Sequence, residues 1–229
     1  VNLNKNWLWF KNKSTLNLMP LFKEIIEENY TLVVWHLTEE EEFFLPDIHH
    51  FSSEPQKLDE VHFPQRRREW LASRFIGWQI ASEIQGNCEG IWSDTHNKPH
   101  FKNSSLQISI SHASPYVAVL VHKKHSCGVD IEEKKDKLER LASKFLTESE
   151  MELSGGSLDK LALAWGAKEA VYKMYGRKQL IFKENIFLPE LHTEWGHGIM
   201  SCILRLDNKE KIIPMQFEQF QNHVLVYTI

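Results

Sequence analysis

Apolar residues recur along this chain at two different periods, and the period changes mark the predicted elements. Leu71, Phe75, Trp78, Ala81 and Ile84 repeat at the three-to-four-residue spacing of one helix face. Pro64 precedes that run and Gly86 follows it, so the spacing predicts a helix between them. A second helical region is predicted from Lys137, with a break at Gly155-Gly156. A long helix then runs from about Leu158 to Tyr175 and is closed by Gly176. Between these regions the period is two. Ile108 and Ile110 alternate with Ser109 and Ser111, and further strands are predicted over 116–121 and 128–131. With turns at 112–115 and 123–126, this stretch reads as an antiparallel meander. Earlier in the chain, 21–28 reads as a short helix and 32–37 as an apolar strand. Residues 46–64, polar with three prolines, read as a long loop. After Gly176 the pattern is of short strands ending at 224–228. Helices and strands thus occur in both halves, the second beginning near residue 123, with no exact repeat and no low-complexity segment.

Composition narrows the class. The 229 residues fit one large domain or two small ones, and 42% hydrophobic with 25% charged residues is ordinary for a globular chain. A net charge of −4 argues against a dedicated nucleic-acid binder. No run of eighteen apolar residues suggests a membrane span, and residues 1–10 lack the long apolar stretch of a signal peptide. Cys88, Cys127 and Cys202 are far apart, with no zinc spacing, which points to a reducing compartment and a cytoplasmic location. The pair His49-His50 is expected to be solvated surface.

The chemistry concentrates in two carboxylate motifs. Asp130 and Glu132 lie two apart on a predicted strand, so they share a face while Val129 and Ile131 enter the core. Adjacent like charges need a positive neighbour: a metal ion or a Lys or Arg partner. Glu169 and Lys173 lie four apart on the long helix. That spacing fits a surface ion pair contributing roughly 0.3–0.5 kcal/mol, or a functional pair on a helix that Trp165 and Tyr172 mark as packed. Asp130, Glu132 and Glu169 together offer enough oxygen donors for a hard cation such as Mg²⁺, with Lys168 and Lys173 beside it. The acidic run 39–42 reads as solvated. Arg66, Arg67 and Arg68 fall in the first turn of the helix after Pro64, against its dipole. A bound anion would remove that conflict, and a screened surface cluster is the alternative. Ser111-His112 has no G-x-S-x-G context, so a phosphate contact from His112 is favoured over a nucleophilic pair.

The ordered set Lys98-Pro99, Ile108-Ser109-Ile110-Ser111-His112, Gly128-Val129-Asp130-Ile131-Glu132, 144–150 and Trp165-Gly166-Ala167-Lys168-Glu169 with Lys173 resembles the 4′-phosphopantetheinyl transferase superfamily. Within it, the chain is most similar to the larger, pseudo-dimeric type that activates surfactin synthetase. The resemblance spans 98–176. Asn97 stands where the family commonly has Gly, and Ser109 where Asn is common.

The resemblance implies an α+β fold of two similar subdomains, 1–122 and 123–229, related by a pseudo-two-fold. Each would be a small, mostly antiparallel sheet with packed helices. It implies transfer of the phosphopantetheine arm of coenzyme A to a serine of an apo acyl or peptidyl carrier protein, releasing adenosine 3′,5′-bisphosphate. Asp130, Glu132 and Glu169 would surround Mg²⁺, with Mn²⁺ the alternative. Glu169, or Glu132, would be the base, and Lys173 would serve the leaving group. Lys98, Pro99, Ser111, His112, Lys168 and one of Arg66, Arg67 and Arg68 would contact coenzyme A. The basic run Lys134, Lys135, Lys137, Arg140 and Lys144 would steer an acidic carrier helix. A chain supplying both halves of the site is expected to be monomeric. The alternatives are an Mg²⁺-dependent phosphohydrolase acting on coenzyme A or nucleotides, and a non-catalytic coenzyme A or carrier-protein binder.

Overall fold

The computed structural model describes residues 21–177, 180–193 and 196–229, so the expectation for residues 1–10 lies outside the described residues. The chain is mixed α+β, built on two main antiparallel sheets. The first has the strand order β1-β2-β6-β5, from β1 (Leu21–Ile26), β2 (Tyr30–His36), β5 (Gln107–Ala113) and β6 (Tyr116–His122). The second has the order β7-β11-β10-β9-β8, from β7 (Val129–Glu133), β8 (Ile186–Phe187), β9 (His197–Leu206), β10 (Lys209–Phe220) and β11 (His223–Thr228). A two-stranded hairpin, β3 (Ile91–Ser93) with β4 (Pro99–Phe101), stands beside the first sheet.

Period-two patterning explains the layers. In β2 and β6, Val33, Trp35, Val117, Val119 and Val121 point to one core, while Leu32, Val34, Ala118 and Leu120 point to another. The first core is closed by helix α3 (Pro64–Gln85) through Leu71, Phe75, Ile76 and Ile80. The second lies between the sheets, where Val129 and Ile131 of β7 and Leu225 and Tyr227 of β11 meet the first sheet. A third core forms where the opposite face of the second sheet packs under helix α6 (Leu158–Tyr175), with α4 (Lys137–Phe145) alongside. The capping box of α5 (Glu148–Ser154), Thr147 with Glu150, starts the segment leading into α6.

Several expected elements differ. Segment 21–26 is a strand, not a helix: six residues form a poor isolated helix, and pairing with β2 satisfies their backbone. Residues 46–64 are not a long loop. Short helices α1 (Glu41–Phe44) and α2 (Ile48–Phe51) and two 3-10 turns fill the stretch, and Pro46, Pro55 and Pro64 each sit at the start of a turn. Phe44, Ile48, Phe51 and Leu58 anchor these turns beneath α3. The meander stops after two strands. Both edges of β6 are already paired, by β2 and β5, so β7 crosses to the second sheet and packs on the face of β6. The C-terminal strands are long, ten residues in β9 and twelve in β10.

Candidate functional site

Strand β7 is covered on both faces. Its Val129 and Ile131 face the first sheet, and its Asp130 faces α6 rather than solvent, with 4% exposure. The shared face of Asp130 and Glu132 is therefore a helix–sheet seam. Its closeness depends on glycine: at Gly128, an added Cβ would lie 1.8 Å from the Ala170 carbonyl oxygen of α6. At Gly166 it would lie 3.0 Å from Val226 and 3.6 Å from Asp130 Oδ2.

One edge of β7 pairs with β11. Along the other, side chains of β5 substitute for a strand. Ser109 Oγ accepts from the Val129 amide (3.0 Å), and Ser111 Oγ accepts from the Ile131 amide (3.2 Å). Ser111 also donates to Asp130 Oδ1 at 2.7 Å. The period-two Ser-x-Ser thus satisfies two buried donors and fixes a carboxylate. Ser111 is 6% exposed, and these bonds commit its hydroxyl to the frame of the site.

Lys173 completes the cluster, donating to Asp130 Oδ1 (2.7 Å) and to the Val129 carbonyl (3.2 Å). Glu169 lies one turn earlier on α6. Burial pushes its carboxyl up to about 7, the charges of Asp130 and Glu132 add to the rise, and Lys173 opposes it. Glu132 is half-buried and pairs with Lys137 at 3.0 Å. Among the described residues, no three His, Cys, Asp or Glu side chains are gathered closely enough to hold one ion. The seam nevertheless fits a divalent cation in its donor chemistry. Asp130 Oδ2 is buried without a hydrogen-bond partner, and Glu169 is pushed toward its neutral form by burial and then by two neighbouring carboxylates. Both are relieved by positive charge.

The basic residues divide. Of the arginine run, Arg67 is held by Glu41 (2.9 Å) and the Leu58 carbonyl (2.7 Å), and Arg68 by Glu40 (2.9 Å) and Gln65 (3.1 Å). The conflict with the α3 dipole is thus answered for these two by Glu41 and Glu40 of the acidic run 39–42, which itself stays solvated at Glu40 and Glu42. Arg66 turns to the site, 2.7 Å from His112 Nδ1. His112 belongs to strand β5 and not to a turn, and burial lowers its pKa. Lys168 does not reach the site. It is fully buried, donates to Glu150 (2.9 Å) and to the Ile186 carbonyl (2.6 Å), and holds the core beneath α6. Position decides this: consecutive helix residues point about 100° apart, so Glu169 and Lys168 cannot share a face.

Lys98 ties the β3–β4 hairpin to α6. Its ammonium donates to the carbonyls of Lys173 (3.0 Å) and Met174 (2.9 Å), satisfying the helix C-terminus over Gly176. Asn97 has φ +66°, the left-handed conformation that glycine favours, so the hairpin keeps that turn despite the change from Gly. Lys98 and Pro99 line a cleft of about 170 Å³ with Ile108, Ser109, Ile110, Tyr172 and Lys173, directly beside the carboxylate seam. A larger depression of about 550 Å³, around Lys23, Ile199 and Glu218, contains none of the expected residues. Of the basic run after β7, Lys134, Lys135 and Lys137 pair with Asp159, Glu133 and Glu132.

Residues 126–227 match the family model of the 4′-phosphopantetheinyl transferase superfamily. The matched segment contains Asp130, Glu132, Glu169 and Lys173. Arg66, Lys98, Ser111 and His112 precede it in the same chain. No curated protein matches the chain. Among the described residues, no helix is long and apolar enough to cross a membrane.

Proposed function

We propose that this protein transfers the 4′-phosphopantetheine arm of coenzyme A to a serine of an acyl or peptidyl carrier protein, releasing adenosine 3′,5′-bisphosphate. The observation that carries this reading is the seam of β7 and α6 inside the matched segment. There Glu169, half-buried, lies beside Asp130 and Lys173. Positive charge at the seam, from Lys173 and a bound cation, would keep its carboxyl ionised and able to accept a proton. Glu169 takes the proton of the carrier serine as its oxygen attacks the phosphorus bearing the pantetheine arm. The bond to the bridging oxygen breaks, and the bisphosphate departs. Lys173 brings positive charge to the same seam. Mg²⁺ or Mn²⁺ would be held by Asp130 and Glu169, and by Glu132 once it leaves Lys137. When bound, the ion polarises the pyrophosphate and offsets its charge.

The larger, single-chain type is supported by Ser111, Lys98 and His112, which lie outside the matched segment yet pack around its carboxylates and helix end. Coenzyme A is assigned to the cleft beside Lys98 and Pro99, and the two halves are 1–122 and 123–229. The chain acts as a monomer. Cys88, Cys127 and Cys202 are buried and unpaired, in keeping with a cytoplasmic enzyme.

The test is mass spectrometry of an intact apo carrier protein incubated with coenzyme A, Mg²⁺ and this protein. A gain of one phosphopantetheine mass, lost with EDTA, supports the reading. Coenzyme A breakdown with no gain on any carrier would replace it with a hydrolase.

A further inference from the structure

We propose that Glu69 is a positioning residue that holds Arg66 and His112 together as a receptor for a phosphomonoester dianion. The inference rests on the transferase reading only in taking that phosphomonoester to be part of coenzyme A.

Glu69 is a carboxylate with 3% exposure on the inner side of α3. Such a group is costly unless every oxygen is satisfied. Its Oε1 accepts from Gln65 (2.9 Å), and its Oε2 accepts from Arg66 (3.1 Å) and lies 3.2 Å from His112 Nδ1. Arg66 and His112 are far more open, with side-chain exposures of 57% and 34%. Arg66 in turn donates to His112 Nδ1 at 2.7 Å, so a buried anion gathers a guanidinium from α3 and an imidazole from β5 at the surface. Arg67 and Arg68 are held by Glu41 and Glu40, which leaves Arg66 as the arginine of the run that faces His112.

The sign of the effect follows from the neighbours of His112. Burial, Arg66 and Lys173 all favour the neutral imidazole, whereas Glu69 favours the imidazolium. Without the carboxylate, no negative charge would offset Arg66 and Lys173 at His112, and Arg66 would lose the partner that holds it beside the ring. A phosphate dianion would then meet a less ordered pair, with an imidazole less ready to take up a proton as it binds. Because Glu69 sits beneath the pair, it organises both donors without occupying their outward side.

The experiment is isothermal titration of the full chain with adenosine 3′,5′-bisphosphate and with adenosine 5′-monophosphate, for the wild type and Glu69→Gln. The wild type is expected to prefer the bisphosphate. In Glu69→Gln, bisphosphate affinity should fall about tenfold while monophosphate affinity changes less than twofold. In turnover, the KM for coenzyme A should rise by a similar factor while that for 3′-dephospho-coenzyme A does not follow. Unchanged bisphosphate affinity in Glu69→Gln, or a wild type that does not discriminate, overturns the proposal. Arg66→Gln and His112→Gln together give a background for a second measurement. If Glu69 acts through the two donors, adding Glu69→Gln to the Arg66→Gln/His112→Gln background should cost little further affinity; a full tenfold loss there means that Glu69 acts elsewhere and overturns it. Carrier loading is measured on the same preparations. Loading without discrimination sinks this proposal alone, and discrimination without loading sinks the transferase reading alone.

Discussion

Ser111 and Asp130 come from different sheets, and the hydroxyl of the first donates to the carboxylate of the second at 2.7 Å. The same hydroxyl accepts from the Ile131 amide, so its loss leaves a buried donor unpaired. Ser111→Ala is expected to cost about 1–3 kcal/mol in urea unfolding. Transfer activity should fall further than stability explains, because Asp130 would then be held by Lys173 alone. Equal activity at saturating coenzyme A would separate the serine from the site.

Glu169 should leave a trace in the pH dependence of stability. Its carboxyl is raised from 4.5 to about 7 in the folded state, so between those values the folded chain binds the extra proton. The contribution of Glu169 is therefore most favourable below pH 4.5 and is lost as the pH rises through 7. In EDTA, Glu169→Gln should be more stable than the wild type at pH 8, by up to about 3 kcal/mol. The difference should close near pH 4. The same variant should abolish carrier loading while retaining coenzyme A binding. A stability difference independent of pH would place Glu169 in a solvated setting.

Lys168 predicts a structural loss instead. Removing one partner of a buried pair strands the other, so Lys168→Met should destabilise by about 3–5 kcal/mol. Lys168→Met combined with Glu150→Met should recover part of that loss. Bisphosphate affinity measured well below the melting temperature should stay within twofold of wild type. A specific loss of affinity would return Lys168 to the phosphates.

Gly128→Ala would drive a methyl group into the Ala170 carbonyl, backbone against backbone. Neither side can yield by a rotamer change, so a loss of at least about 3 kcal/mol is expected in thermal unfolding. Ordinary stability would mean that α6 can back away from β7.

The legible parts of the sequence were those with strong local causes. Helices α3 and α6 were readable from Pro64, Gly86 and Gly176, residues whose backbone preferences act within one turn. The alternation in Ser109-Ile110-Ser111 showed a strand, and the D-x-E spacing showed two carboxylates on one face. The destination of those carboxylates was not readable: whether a strand face meets water or a helix depends on residues forty positions away. The crossover of β7 was hidden for the same reason, since it follows from both edges of β6 being occupied. The place of Lys168 was not readable, because one letter separates it from Glu169 while a helix turns them apart. Glu69 carried no distinguishing mark, being one acid in a charged helix until β5 brings His112 to it. One missed feature was visible: Asp207-Asn208, both at positive φ, is a two-residue hairpin turn joining β9 and β10.

The core shared by the two sheets has a practical consequence. Tyr30, Leu32, Val34, Tyr116, Ala118 and Leu120 are buried only because Val129, Ile131, Leu225 and Tyr227 lie across them. A gene cut between codons 122 and 123 would hand each fragment a bare greasy wall. Neither piece should be recoverable alone from the soluble fraction, whereas co-expression of the two should rescue both.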